Sequence, residues 1–111
     1  MFKVSKPQSV KWPVEVNTPR DGGGTTKGTF NVQFRILDDD EFSGIYDRGG
    51  KDKDLLADVC VGWDQKLCDE NGEPIPFSEE QLEALVKIPY IRTAMVSAYL
   101  DCSNGRAAKG N

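Results

Sequence analysis

The densest group of side chains able to do chemistry lies between Gly62 and Leu82, "GWDQKLCDENGEPIPFSEEQL", where Asp64, Asp69, Glu70 and Glu73 crowd around Asn71-Gly72. Carboxylates this close can bind a hard cation or share a proton. With Asp69 as the first ligand of a calcium loop, Asn71 takes the third position, Glu73 the fifth and Glu80 the twelfth. The sixth position, where such a loop turns on glycine, holds Pro74, and Gly72 falls two places early. The other acidic run, Asp38 to Glu41, fails too: counted from Asp38 or from Asp39, neither frame has both the central glycine and the final glutamate. Acid–base work needs a partner base or a pocket, and neither is implied beside these exposed carboxylates. The sequence therefore predicts no metal site.

Nucleophilic chemistry fares no better. The chain has no histidine, which removes the usual general base and every Ser-His or Cys-His pair. Cys60, Cys68 and Cys102 are odd in number, widely spaced and outside any C-x-x-C pair. Zinc would have to be held by three thiolates and a carboxylate, an uncommon set. The expected state is three reduced thiols that pack as small apolar groups. The glycine-rich "PRDGGGTTKG" has no Gly-Lys-Ser/Thr pattern and no helix after it, so it reads as a loop tip, not a phosphate cradle. No catalytic residue and no cofactor is expected.

Elements that position these residues follow from periodicity. Residues 12–18 alternate through Trp12, Val14 and Val16, and residues 29–36 through Phe30, Val32, Phe34 and Ile36. Both predict half-buried strands joined as an antiparallel hairpin, with Pro13 at a strand start or on an edge. Asp38 or Asp39 caps a short helix that turns Phe42, Ile45 and Tyr46 inward. "GGKDKD" ends it, and Leu55, Leu56, Val59, Cys60 and Trp63 recur at helical spacing, with Asp54 as the cap and Trp63 as a core or interface anchor. Asn71-Gly72 predicts a type I′ turn between two extended pieces, with Pro74 and Pro76 holding the exit straight. The acidic stretch is then a connector.

Ser78-x-x-Gln81 is a capping box, with Phe77 placed to staple onto Leu82. Leu82, Leu85 and Val86 form the narrow stripe of a one-sided helix. Pro89 breaks it, a second helix runs from about Tyr90 to Ser103, and Asn104-Gly105 stops it. On that last helix Ile91, Met95, Val96, Ala98, Tyr99, Leu100 and Cys102 spread over an arc of about 200°, where one-sided packing needs about 100°. Two readings account for the excess. The helix is buried against two neighbours, or the flank of Ile91, Met95, Tyr99 and Cys102 is kept for a partner helix or a second copy. On the second reading Met95→Asp or Tyr99→Asp weakens partner binding without unfolding the domain.

The prediction is an α+β chain: an antiparallel hairpin over about 12–36 and about four small bundled helices over 38–103. Residues 1–104 form one domain and 105–111 a disordered tail. At 111 residues the chain can hold a core without staples. Charge is uneven: residues 1–37 carry six Lys/Arg against two acids, residues 38–83 four against fifteen, and residues 84–111 four against one. The acidic middle argues against nucleic acid as partner and suits a solvated surface. No apolar run approaches the roughly 20 residues of a membrane span, and residues 1–12 lack a secretory h-region. The expected place is the cytoplasm of the cell that makes it.

One ordered set of features resembles a known family. "FRIL" precedes an acidic helix start, then come Trp63-Asp64, the turn from Glu70 to Pro74, Pro76-Phe77-Ser78, Leu82 to Pro89, and Tyr99-Leu100. Together they resemble the small tail assembly chaperones of long, non-contractile-tailed bacteriophages, most closely over residues 59–103 and less so over 29–42. The resemblance implies a non-enzymatic chaperone in the host bacterial cytoplasm, absent from the mature virion. Its client would be the tape-measure protein, kept soluble while tube subunits polymerise around it. The major tail tube protein and a second copy of the chain are further implied partners. The competing expectation is a structural tail component, a tube or completion subunit, that stays in the particle.

Overall fold

Alternating apolar residues at even positions build the sheet. In the computed structural model, which describes residues 1–108, β1 (Val10–Pro19) and β2 (Thr25–Phe34) pair antiparallel. Val10 lies opposite Phe34, Trp12 opposite Val32 and Val14 opposite Phe30, so the apolar residues of both strands share one face. Arg20 and Gly24 close the tip, and Gly22 and Gly23, both at φ 92°, supply the left-handed turn that side chains resist. β1 is an edge strand. Asn31 exchanges hydrogen bonds with Asp64 on the far side of β2, so Pro13, paired with Asn31, has its nitrogen turned to the open edge.

The alternation breaks at the end of β2. Ile36, expected on the buried face, is 43 % exposed, while Leu37 is 6 % exposed. The cause is an irregularity at Gln33/Phe34 in the pairing with a third strand, after which the Arg35 N–H bonds the Val59 carbonyl at 2.9 Å. Helix α1 (Asp39–Asp47) follows, capped by Asp38, which accepts the Glu41 N–H at 2.9 Å while Glu41 takes the Asp38 N–H. Ile45 is buried, and Phe42 and Tyr46 are half-buried beside it.

Helix α2 (Asp52–Val59) is shorter than its spacing predicts. Asp54 is its third residue and not its cap, and accepts the Lys51 N–H at 2.8 Å. Cys60 and Trp63 leave the helix for a third strand, β3 (Cys60–Trp63), antiparallel to β2. Val59, Cys60 and Trp63 fit a helical stripe, yet β-branched Val61 and Gly62 weaken it, and the free edge of β2 offers backbone partners. Pairing wins over spacing.

After β3 the connector folds back on itself. Cys68 bridges Pro74, and the Asp69 N–H bonds the Glu73 carbonyl at 2.8 Å. Within this turn Gly72 has positive φ (79°) and Asn71 does not, so it is not the type I′ that Asn71-Gly72 predicts. It is a three-residue loop ending on a left-handed glycine, the next commonest hairpin closure. Trp63 ties this loop to the sheet: its Nε1–H donates to the Ile75 carbonyl at 2.6 Å, and its ring meets Phe77 edge-on at 4.8 Å.

Ser78 caps α3 (Glu79–Val86) by accepting the Gln81 N–H at 3.1 Å, and Pro89 opens α4 (Pro89–Ser103). Asn104 and Gly105 end α4, and Arg106 pairs back onto Asp101 at 3.1 Å. The expected tail lies partly at 109–111, outside the described residues. α4 runs along β1 and also touches α2 and α3. The core is the even face of the sheet against Leu55, Leu56 and Val59 of α2, Leu82, Leu85 and Val86 of α3, and the inner side of α4. Full burial of each such aliphatic side chain contributes about 1.5–3 kcal/mol. No polar or charged residue is fully buried among the described residues.

Candidate functional site

The flank of α4 singled out for a partner is core. Met95 and Tyr99 are 0 % exposed, Cys102 is buried and Ile91 is half-buried against them. Tyr99 meets Phe34 edge-on at 5.5 Å, and its hydroxyl accepts the Leu37 N–H at 3.1 Å. The wide apolar arc is explained by neighbours on several sides: the hairpin, α2 and α3. Arg92, which interrupts that arc, donates to the Val86 carbonyl at 2.9 Å and so covers the C-terminal end of α3. The docking role proposed for Ile91, Met95, Tyr99 and Cys102 is therefore replaced by packing.

A different side of α4 is open. Between this helix and β1 lies a groove of about 540 Å³. Trp12, Pro13, Glu15 and Asn17 form one wall; Pro89, Tyr90, Thr93, Ala94, Ser97, Ala98 and Asp101 form the other. On the helix these recur at intervals of three and four, so they make one stripe. Small residues at Thr93, Ala94, Ser97 and Ala98 keep the helix back from bulky contacts, and a concave surface results. The carboxylates at its ends are already engaged, Glu15 with Lys27 at 3.6 Å and Asp101 with Arg106. Trp12 closes the floor, its Nε1–H buried with no hydrogen-bond partner among the described residues. Periodicity alone did not single out this small-residue stripe; the packing of α4 along β1 shows what it faces.

Two carboxylates of the acidic connector, Asp64 and Asp69, are held in local structure. Burial raises the Asp64 carboxyl, but hydrogen bonds from the Asn31 side chain (2.7 Å), the Asn31 backbone and Lys66 outweigh it and hold the group below its ordinary value. Asp69 accepts the N–H groups of Asn71 (2.8 Å) and Glu73 (3.0 Å). Among the described residues no cluster of three or more His, Cys, Asp or Glu is placed to hold a metal ion. Burial pushes the Cys60 thiol up to about 12 and raises Cys102, the opposite of what a nucleophilic thiol requires. Cys68 is exposed, its thiol donating to the Gln65 carbonyl at 3.2 Å. No helix of the described residues is long and apolar enough to cross a membrane.

No protein-family model, curated protein or solved structure matches the chain.

Proposed function

We propose that this protein is a tail assembly chaperone of a long-tailed bacteriophage, a non-enzymatic binder that keeps the tape-measure protein soluble during tube assembly in the host cytoplasm. The partner's identity rests on the sequence resemblance over residues 59–103. The observation that carries a binding role is the groove between β1 and α4, with an aromatic floor at Trp12, Tyr90 at one end and a small-residue wall. An apolar stripe on an unassembled helical chain aggregates in water. A groove with a small-residue wall can cover such a stripe through contacts at helical spacing.

A second reading, a structural tail component retained in the virion, is favoured by one feature. Among the described residues β3 pairs with only the end of β2, so the backbone edge at Thr25, Lys27 and Thr29 has no strand partner. The two readings part in one experiment. Co-expression with the tape-measure protein of the same phage should raise its soluble fraction and yield a complex that co-purifies. No such gain, with this chain found in purified particles, would favour the structural subunit.

A further inference from the structure

Residues 1–8 form an arm that packs on nothing: Phe2 is 86 % and Val4 82 % exposed. The arm is basic as well as apolar, since Lys3 and Lys6 lie in it and the first acid of the chain is Glu15. In an extended segment Phe2, Val4 and Lys6 share one side and Lys3 the other, so the two lysines flank the apolar pair.

A matching surface lies in the helical layer. Between α2 and α3 is a groove of about 450 Å³ whose apolar floor is Ala57, Leu82 and Val86. Its rim carries Asp54, Glu79 and Glu83 against Lys53 and Lys87. Glu79 and Glu83 are one turn apart on α3, and neither carboxylate has a hydrogen bond or ion pair among the described residues. We propose that the arm of one copy docks in the α2–α3 groove of a second copy, with Phe2 and Val4 on the apolar floor and Lys3 and Lys6 against Glu79 and Glu83. The arm stands clear of its own body, and each copy offers one arm and one groove, so a reciprocal exchange between two copies would fill both grooves. Long lysine stems reach the rim while the apolar residues stay below it. This pairing is separate from the client groove between β1 and α4 and does not depend on the chaperone reading.

Sedimentation of the full chain tests it. The wild type should associate at low salt and weaken as salt screens the rim. Lys3→Glu with Lys6→Glu, and separately Glu79→Lys with Glu83→Lys, should each weaken self-association at least tenfold. All four positions are exposed, so the arm variant should melt like the wild type and the groove variant should lose only the small first-turn contribution of Glu79 to α3. Mixed together, the two should associate again, because each reversed arm meets a reversed groove and each native arm a native groove. A wild type that stays monomeric, including one whose arm resists protease by lying in its own groove, overturns the proposal. So does association that neither variant reduces, or a mixture that fails to recover it.

Discussion

The hydroxyl of Tyr99 accepts the backbone N–H of Leu37 at 3.1 Å across 62 positions of sequence, and both residues are buried. This bond joins the last helix to the point where the sheet hands over to α1. Leu37 follows the broken pairing of β2, where its N–H has no strand partner, and the phenol supplies the acceptor. Tyr99→Phe keeps the ring against Phe34 but strands that N–H. A loss of about 1–3 kcal/mol is expected, read as a lower midpoint in urea at unchanged slope. An unchanged midpoint would mean that water or another acceptor serves Leu37 equally well.

The two tryptophans should respond unequally to the same change. Trp63 donates to the Ile75 carbonyl at 2.6 Å, whereas Trp12 has its indole N–H buried without a partner. Trp63→Phe should cost about 1–3 kcal/mol by leaving that carbonyl unpaired. Trp12→Phe loses ring area but also removes an unsatisfied donor, so it should cost less than Trp63→Phe or nothing. Equal losses in chemical denaturation would show that Trp12 finds an acceptor in solution.

How far these relationships could be read beforehand differs by element. The hairpin was legible because Val14, Val16, Phe30, Val32 and Phe34 alternate, and period two has one meaning for a half-buried strand. The caps at Asp38 and Ser78 were legible because they are local chemistry. Cys60 to Trp63 was not, because four residues fit helix and strand alike, and the free edge of β2 that decided between them lies about thirty positions earlier. The flank of Met95 and Tyr99 was left with two readings for a related reason, and burial against neighbouring elements is the one that holds. A wide apolar arc measures how much surface is covered, not whether the cover is the same chain. The open groove escaped notice because small residues at Thr93, Ala94, Ser97 and Ala98 carry no strong apolar signal.

Acid should loosen the connector before the core. The Asp64 carboxyl is held below its ordinary value in the fold, so its ionised form favours the folded state. That contribution is complete above the ordinary carboxylate range, about 4, and fades as pH falls through the lower folded value. Asp64→Asn should flatten this part of the stability curve, from the ordinary carboxylate range downward. Chemical denaturation at stepped pH reads it directly. Parallel curves for the two proteins would place the acid sensitivity in other carboxylates.

The last prediction separates the two sides of α4. Met95 lies in the core with no exposed surface, and a carboxylate there would be unpaired and desolvated. Met95→Asp should therefore unfold the domain and abolish client binding only as a consequence. Thr93, two residues before Met95 and so on the other side of the helix, is exposed on the wall of the β1–α4 groove. Thr93→Arg should leave thermal stability within about 0.5 kcal/mol, as surface changes do, yet fill the groove with a long cation. If the groove holds the tape-measure protein, the co-purifying soluble fraction should fall severalfold for Thr93→Arg at unchanged melting temperature. If that variant binds normally, the client rests elsewhere, and the open edge of β2 at Thr25 to Thr29 becomes the surface to test. Melting and co-purification must be measured on the same preparations, because only a loss of binding without a loss of fold assigns the groove.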